Sequence, residues 1–407
     1  MDVTVRQDYA SALRRIRKQL TLSPSNSVLL CLEGDVHLAQ HNWQDAEKAY
    51  EKASFVQPDW SYPYFALGRL YAASDRYDLA LEKTDRTLAA DPHNLPALML
   101  KGMICQLRQD YAKAAEQYER ILTIRPNFAP AANNLAYLYA EHLARPEAAF
   151  DLARKAREVA PDDPAIADTL GWIAYRRGDY KWALSLLEES AEKLPEDPEV
   201  LYHLAATYCA LGRENAAQDA LRRALAAGKH FPGLKEATML AGILTIELPS
   251  VDQTMLPQIK TYLDWDPKNP SALTRLGAAY EANGNRFKAR AAYEAALASN
   301  PQFVPAMVRL IEICAAQPKE IDAALALGRK ARDAAPTDPA VAAALGWTAC
   351  RKGDYSWGHS LLAEAVQKHP DNPQWTYRLG VCRYHLGDIA GGVELVKKAL
   401  GAMREDC

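Results

Sequence analysis

Leu95–Phe128 reads LPALMLKGMICQLRQDYAKAAEQYERILTIRPNF. Leu98, Gly102 and Cys105 recur at helical spacing on one face of its first half, and Ala114, Tyr118 and Ile121 do the same in its second half. Arg108-Gln109-Asp110 separates the two stretches, Tyr111 closes the turn, and Pro126 ends the segment. Proline lacks the amide donor and fixes φ, so it stops the second helix. The small residues Gly102 and Ala114 stand where two helix backbones come close, and Tyr111 and Tyr118 fill the space between them. The segment is therefore a helix–turn–helix unit, and it repeats. Pro58, Pro92 and Pro126 are 34 residues apart, and Pro161 and Pro195 follow at 35 and 34. Gly34, Gly68, Gly102 and Gly171 each precede one of these prolines by 24 residues.

The 34-residue beat, the paired helical faces and the closing proline resemble the tetratricopeptide-repeat (TPR) family over nearly the whole chain. The resemblance implies an all-α, right-handed superhelical solenoid of about eleven helix-turn-helix repeats. Units fall at 27–60, 61–94, 95–128, 129–163, 164–197, 198–231, 236–269, 270–303, 304–338, 339–372 and 373–407. Residues 1–26 hold an orphan second helix or cap, in which Ala12, Ile16 and Pro24 match the second half of the template.

A longer period contains the short one. A shift of 175 residues lays Arg154-Lys155-Ala156-Arg157 on Arg329-Lys330-Ala331-Arg332 and Leu170-Gly171-Trp172 on Leu345-Gly346-Trp347. It also lays Gly178-Asp179-Tyr180-Lys181-Trp182 on Gly353-Asp354-Tyr355-Ser356-Trp357. The array thus reads as a tandem duplication, with a first copy at 27–231, a degenerate seam repeat at 232–269 and a second copy at 270–407. Pro249 and Pro257 are expected to shorten or bend the helices of the seam.

Composition narrows the function. Hydrophobic residues at 49% and charged residues at 24% are ordinary for a soluble protein, and no apolar run approaches the ~18 residues of a membrane span. A formal net charge of −3 disfavours nucleic acid, whose backbone is held by clustered Lys and Arg. Arg14, Arg15, Arg17 and Lys18 form the one cationic cluster, read as the solvated face of the cap. The seven cysteines show no zinc spacing. They read as reduced apolar filler, which favours a cytoplasmic location; a periplasmic one is the alternative if a leader has been lost.

No phosphate loop, zinc-protease helix, nucleophile elbow or dinucleotide fingerprint occurs. The histidines are scattered. No catalytic residue, metal site or cofactor is expected. The acidic and amide residues before proline at Asp163-Pro164, Asp197-Pro198, Asn269-Pro270, Asp338-Pro339 and Asn372-Pro373 are expected to cap helices.

What remains is surface. The TPR resemblance implies that first helices line a concave face, with the second, fifth, sixth, ninth, twelfth and thirteenth residues of each unit nearest the groove. These positions name Phe65, Arg69, Met99, Met103, Asn133, Asn134 and Tyr137, then Asp168, Trp172, Tyr175, Arg176 and Tyr202. In the second copy they name Trp347, Arg351 and Tyr377. Aromatic, methionine and amide side chains suit a protein or peptide ligand. The basic and amide set of chaperone-type TPR modules is absent, since Cys31, Asp35, Phe65 and Arg69 occupy its positions. The asparagine ladder of glycosyltransferase-type arrays is reduced to Asn134.

The reading is a non-catalytic interaction scaffold or adaptor, with end repeats open to self-association. The pattern DTLGW from Asp168, GDY from Gly178 and YHLA from Tyr202 resembles bacterial TPR proteins. That resemblance implies an envelope, exopolysaccharide-export or secretion assembly. The alternative is a regulatory TPR portion of a larger glycosyltransferase or protease whose catalytic domain lies outside this sequence.

Overall fold

The computed structural model describes residues 8–228, 231–248 and 251–405. Among them are twenty-three α-helices and no strands. The first described helix is α1 (Tyr9–Leu22). Antiparallel pairs follow: α2 (Ser27–Ala39) with α3 (Trp43–Val56), α4 (Ser61–Ala73) with α5 (Tyr77–Ala90), and α6 (Leu95–Leu107) with α7 (Tyr111–Ile124). Next come α8 (Ala129–Glu141) with α9 (Pro146–Val159), α10 (Pro164–Arg177) with α11 (Tyr180–Lys193), and α12 (Pro198–Ala210) with α13 (Glu214–Ala226). The seam supplies two short helices, α14 (Leu234–Leu244) and α15 (Leu256–Trp265). The remaining pairs are α16 (Pro270–Ala282) with α17 (Arg286–Ser299), α18 (Val304–Ala315) with α19 (Ile321–Ala334), α20 (Pro339–Lys352) with α21 (Tyr355–Lys368), and α22 (Pro373–His385) with α23 (Ile389–Glu405). This is an all-α solenoid of repeats. It forms two compact units, Met1–Ile173 and Ala174–Cys407, divided inside α10 at a place the proline period does not mark.

Each pair is held by the residues that recur. The rings of Tyr50, Tyr118 and Tyr293 are fully buried, and each lies against the glycine of the facing first helix. A Cβ added to Gly102 would sit 2.5 Å from Cε1 of Tyr118, so only glycine lets the helices close over that ring. Tyr111 has a different job from the expected one. It is only half-buried and stacks on His142, with ring centroids 3.7 Å apart. The turn between paired helices needs one left-handed residue. Gln109 takes φ 63° there, and Gly178 and Gly353 fill the equivalent place at 90° and 94°.

All five expected caps form. The side-chain oxygen of Asp163 accepts from Ala165 N at 2.9 Å, Asp197 from Glu199 N at 3.0 Å and Asp338 from Ala340 N at 2.8 Å. Asn269 accepts from Ala272 N and Asn372 from Trp375 N, both at 3.0 Å. The seam helices are short, at 11 and 10 residues. Pro257 stands at the start of α15, where its missing amide costs nothing, so it bends no helix. Pro249 lies outside the described residues.

The cysteines depart from expectation at one place. Cys350 of α20 and Cys382 of α22 form a disulfide, with Cα atoms 6.3 Å apart. Corresponding faces of successive first helices meet in the stack, and that brings two residues 32 apart in sequence together. Cys31, Cys105, Cys209 and Cys314 are free and buried, as apolar filler should be. Cys407 is outside the described residues.

Candidate functional site

The buried tyrosines do more than pack. Each crosses from the second helix to the first-helix face, where its hydroxyl emerges among the stripe residues. Tyr50 donates to Oδ1 of Asp35 at 2.7 Å, and Tyr62 of the next pair donates to Oδ2 of the same carboxylate at 2.9 Å. Tyr118 donates to Oε1 of Gln106 at 3.4 Å and accepts from Nδ2 of Asn134 at 3.3 Å. Tyr293 donates to Oε2 of Glu281 at 2.5 Å and accepts from Nε of Arg309 at 3.4 Å. The pattern joins the ninth or twelfth position of one unit to the second or sixth of the next. Burial, then hydrogen bonding to Asp35, pushes the Tyr62 hydroxyl up to about 12. Burial likewise takes Tyr118 to about 12, against the lowering contact from Asn134. These phenols stay protonated at neutral pH and keep donating. Asp35 and Tyr62 were missed as a pair in the sequence, although both sit at stripe positions.

In the first unit the stripe between these anchors is open. Phe65, Met99, Asn133, Asn134 and Tyr137 are half-buried, whereas Arg69 and Met103 are exposed. Met103 keeps 49% of its surface. The Arg69 guanidinium lies 5.8 Å from the centre of the Phe65 ring. Oδ1 of Asn133 is buried without a hydrogen-bond partner. The result is a run of ring, thioether and amide groups on α4, α6 and α8. At the end of the stripe the face is shut: Asp168 and Trp172 are buried, and Trp172 Nε1 donates to Oε1 of Glu141 at 3.0 Å. Both were expected on an open groove. The tryptophan instead ties α10 to α8 within the stack.

In the second unit the structure corrects the expectation further. Tyr175 and Tyr202 are 3% and 1% exposed. Tyr175 donates to Oδ2 of Asp266 at 2.6 Å, and Asn269 Nδ2 reaches the Tyr262 hydroxyl at 3.3 Å. A Cβ on Gly233 would meet the Tyr202 ring at 2.8 Å. Beyond α13 the chain turns back. Asn300 Nδ2 donates to Ala210 O at 2.8 Å, Lys181 Nζ to Gln302 Oε1 at 2.9 Å, and the Tyr180 and Ser299 hydroxyls lie 2.9 Å apart. Arg275 of α16 is fully buried and holds both oxygens of Glu214 at 2.7 and 2.9 Å and Ile246 O at 2.8 Å. The protein's own seam and the pairs after it therefore occupy the place where a ligand was expected on α10–α12. Arg176 stays exposed beside the Trp265 ring, 5.6 Å from its centre.

The first-helix face from α16 to α22 is satisfied by internal ion pairs. Arg309 meets Glu281 at 2.6 Å and Glu312 at 3.3 Å, and Arg378 meets Glu312 at 3.0 Å. The Arg378 guanidinium lies 5.6 Å from the centre of the half-buried Trp347 ring. Tyr377 is half-buried and Arg351 exposed at its edge. Among the described residues no group of three or more His, Cys, Asp or Glu could hold a metal ion, and no helix is long and apolar enough to cross a membrane.

Comparison with known proteins bears on this geometry. The family profile of the tetratricopeptide repeat matches residues 31–94, 65–127, 274–339 and 343–406, and a second profile of the same description matches 174–236. Together they cover more than half of the chain. The chain belongs to the tetratricopeptide-repeat family. A TPR repeat-containing protein of Pseudomonas aeruginosa is 28% identical over 201 residues, 49% of this chain and 34% of that protein. The BBSome complex member BBS4 of Bos taurus is 24% identical over 61% of this chain and 49% of its own length. The formate-dependent nitrite reductase complex subunit NrfG of Escherichia coli O157:H7 is 25% identical over 29% of this TPR chain and 61% of its own. The chain thus spans less than two thirds of the length of these relatives. Among solved structures, PilF of Pseudomonas aeruginosa matches 48% of this chain and 89% of its own with a TM-score of 0.44 at 18% identity.

Proposed function

We propose that this TPR chain is a non-catalytic interaction scaffold that holds a partner peptide along the first-helix face of α4, α6 and α8. The observation that carries the reading is the open stripe of Phe65, Met99, Met103, Asn133, Asn134 and Tyr137, set among faces that the chain fills for itself. Rings and thioethers give contact area at low entropic cost, and amides pair with a peptide backbone. The tyrosine anchors beneath hold the stripe in place before ligand arrives, which lowers the ordering cost of binding. Membership of a family of interaction repeats supports the same reading. So do two relatives whose names make them members of multiprotein complexes, BBS4 and NrfG.

The Cys350–Cys382 disulfide supports an oxidising compartment, such as a bacterial periplasm, over the cytoplasm, because reducing compartments keep such thiols apart. Fractionation of the source cells tests the location. The groove is tested by capturing the partner from those cells and titrating it calorimetrically. Alanine at Phe65, Met99 or Tyr137 is expected to weaken binding by more than about 1 kcal/mol each. Unchanged affinity in all three variants removes this face from the function.

A further inference from the structure

The 175-residue duplication gives the chain two equivalent first-helix faces, and the chain fills one of them itself. On α10 and α12 the cover is the end of α15. Asp266 accepts from the Tyr175 hydroxyl at 2.6 Å, and the Trp265 ring lies 5.6 Å from the Arg176 guanidinium and 6.3 Å from the Tyr202 ring. The shift lays Trp172 on Trp347, Arg176 on Arg351 and Tyr202 on Tyr377. Trp172 and Tyr202 are buried, whereas Trp347 and Tyr377 are half-buried and Arg351 is exposed. Among the described residues no ring stacks on Trp347 or Tyr377, and no carboxylate pairs with Arg351, which reaches only Ala316 O at 3.5 Å.

The second face is also short of acceptors. Trp172 Nε1 has Glu141, but the equivalent position is Ala316, and the Trp347 indole N–H has no acceptor among the described residues. Arg378 replaces His203. It is 7% exposed, and its Nη2 donates to Glu312 at 3.0 Å while its Nη1 is buried without a hydrogen-bond partner. A buried donor left unpaired is costly, so a group that supplies an acceptor there is favoured.

We infer that the α20–α22 face is a second binding site, distinct from the α4–α8 stripe, for a partner segment that carries a carboxylate beside an aromatic ring. The occupant of the equivalent face supplies the template: Trp265-Asp266 is such a pair. Charge selects in the same direction, because Glu281, Arg309, Glu312 and Arg378 pair among themselves and Arg351 adds an unpaired cation. The partner's ring lies beside Arg351 as Trp265 lies beside Arg176. Its carboxylate takes Arg351 and Nη1 of Arg378. Trp347, which no hydrogen bond holds, is the wall that turns to admit it.

The test titrates a synthetic peptide of residues 256–269, which contains Asp264, Trp265 and Asp266, into the intact chain by calorimetry. The expected result is one-to-one binding that weakens as salt is added. D264N with D266N in the peptide should weaken it about tenfold or more, and W265A in the peptide should weaken it likewise; neither change can disturb the protein's folding. In the protein, Arg351→Glu should weaken binding with an unchanged melting temperature, because the side chain lies at the surface. Absence of binding, or binding indifferent to both the peptide acids and Arg351→Glu, overturns the proposal. So does binding lost with Arg176→Glu but kept with Arg351→Glu, since the peptide has then displaced α15 from the first face.

Discussion

At the scale of the residue, the chain shows two kinds of polar contact. One kind was plain in the sequence. Asp338 before Pro339 could be named a cap because a carboxylate ahead of proline at the first helical turn has little else to do there, and its oxygen does accept from Ala340 N and Val341 N. Replacing Asp338 with alanine is expected to cost about 0.5–2 kcal/mol, read from urea melts; a shift below a few tenths shows that the cap contributes little. The other kind could not be read, since Arg275 and Glu214 meet across 61 residues. Burial alone raises the Glu214 carboxyl, but hydrogen bonds and charge from Arg275, with the Ser271 hydroxyl, outweigh it and hold the group below the usual carboxylate range. A depressed folded pKa contributes stability that is complete above the ordinary glutamate pKa of about 4.3 and is lost as pH falls through the folded value. Melting temperature is therefore expected to drop on acidification through that window. Glu214→Gln should flatten this part of the profile, whereas Arg275→Met should destabilise at neutral pH by about 3–5 kcal/mol. A Gln variant with the parent slope excludes the pair as its source.

At the scale of the element, helices, turns and pairing were legible because each rests on local residues: glycine facing tyrosine, a left-handed turn residue, a capped proline start. What those cues omit is where one pair touches another far along the chain. The Cys350–Cys382 bridge is such a contact. Nothing in the spacing of two lone cysteines reveals that α20 and α22 present them to each other, and the general bias toward reduced filler misled for these two. The bridge closes a loop of moderate length, so reduction, or serine at both positions, is expected to lower stability by about 2–4 kcal/mol. Mass spectrometry after alkylation in denaturant should find Cys350 and Cys382 blocked until reductant is added. Alkylation of both without reductant means that the bridge is absent from the protein. The four other buried cysteines should show the opposite behaviour, reacting once unfolded.

At the scale of the molecule, the repeat pattern predicts a ligand face wherever first helices line up, and that pattern leaves an open stripe on α4 to α8. It failed at Tyr175 and Tyr202 because the template describes one unit and its neighbours, while the cover over α10–α12 comes from residues about 90 positions away. The degenerate seam carried the signal: a repeat that loses its small packing residues no longer stacks as the others do, and its Tyr262, Asp266 and Asn269 turn inward to meet Tyr175. Two substitutions separate the roles. Phe65→Ala removes a partly exposed ring and should reduce partner affinity with little loss of stability. Tyr202→Ala empties a fully enclosed site and should cost about 3–5 kcal/mol of stability, as for other large aromatic deletions, while leaving affinity for the α4–α8 ligand unchanged below the melting temperature. If Tyr202→Ala instead weakens binding in protein that remains folded, ligand reaches α12, and the seam must then open to admit it.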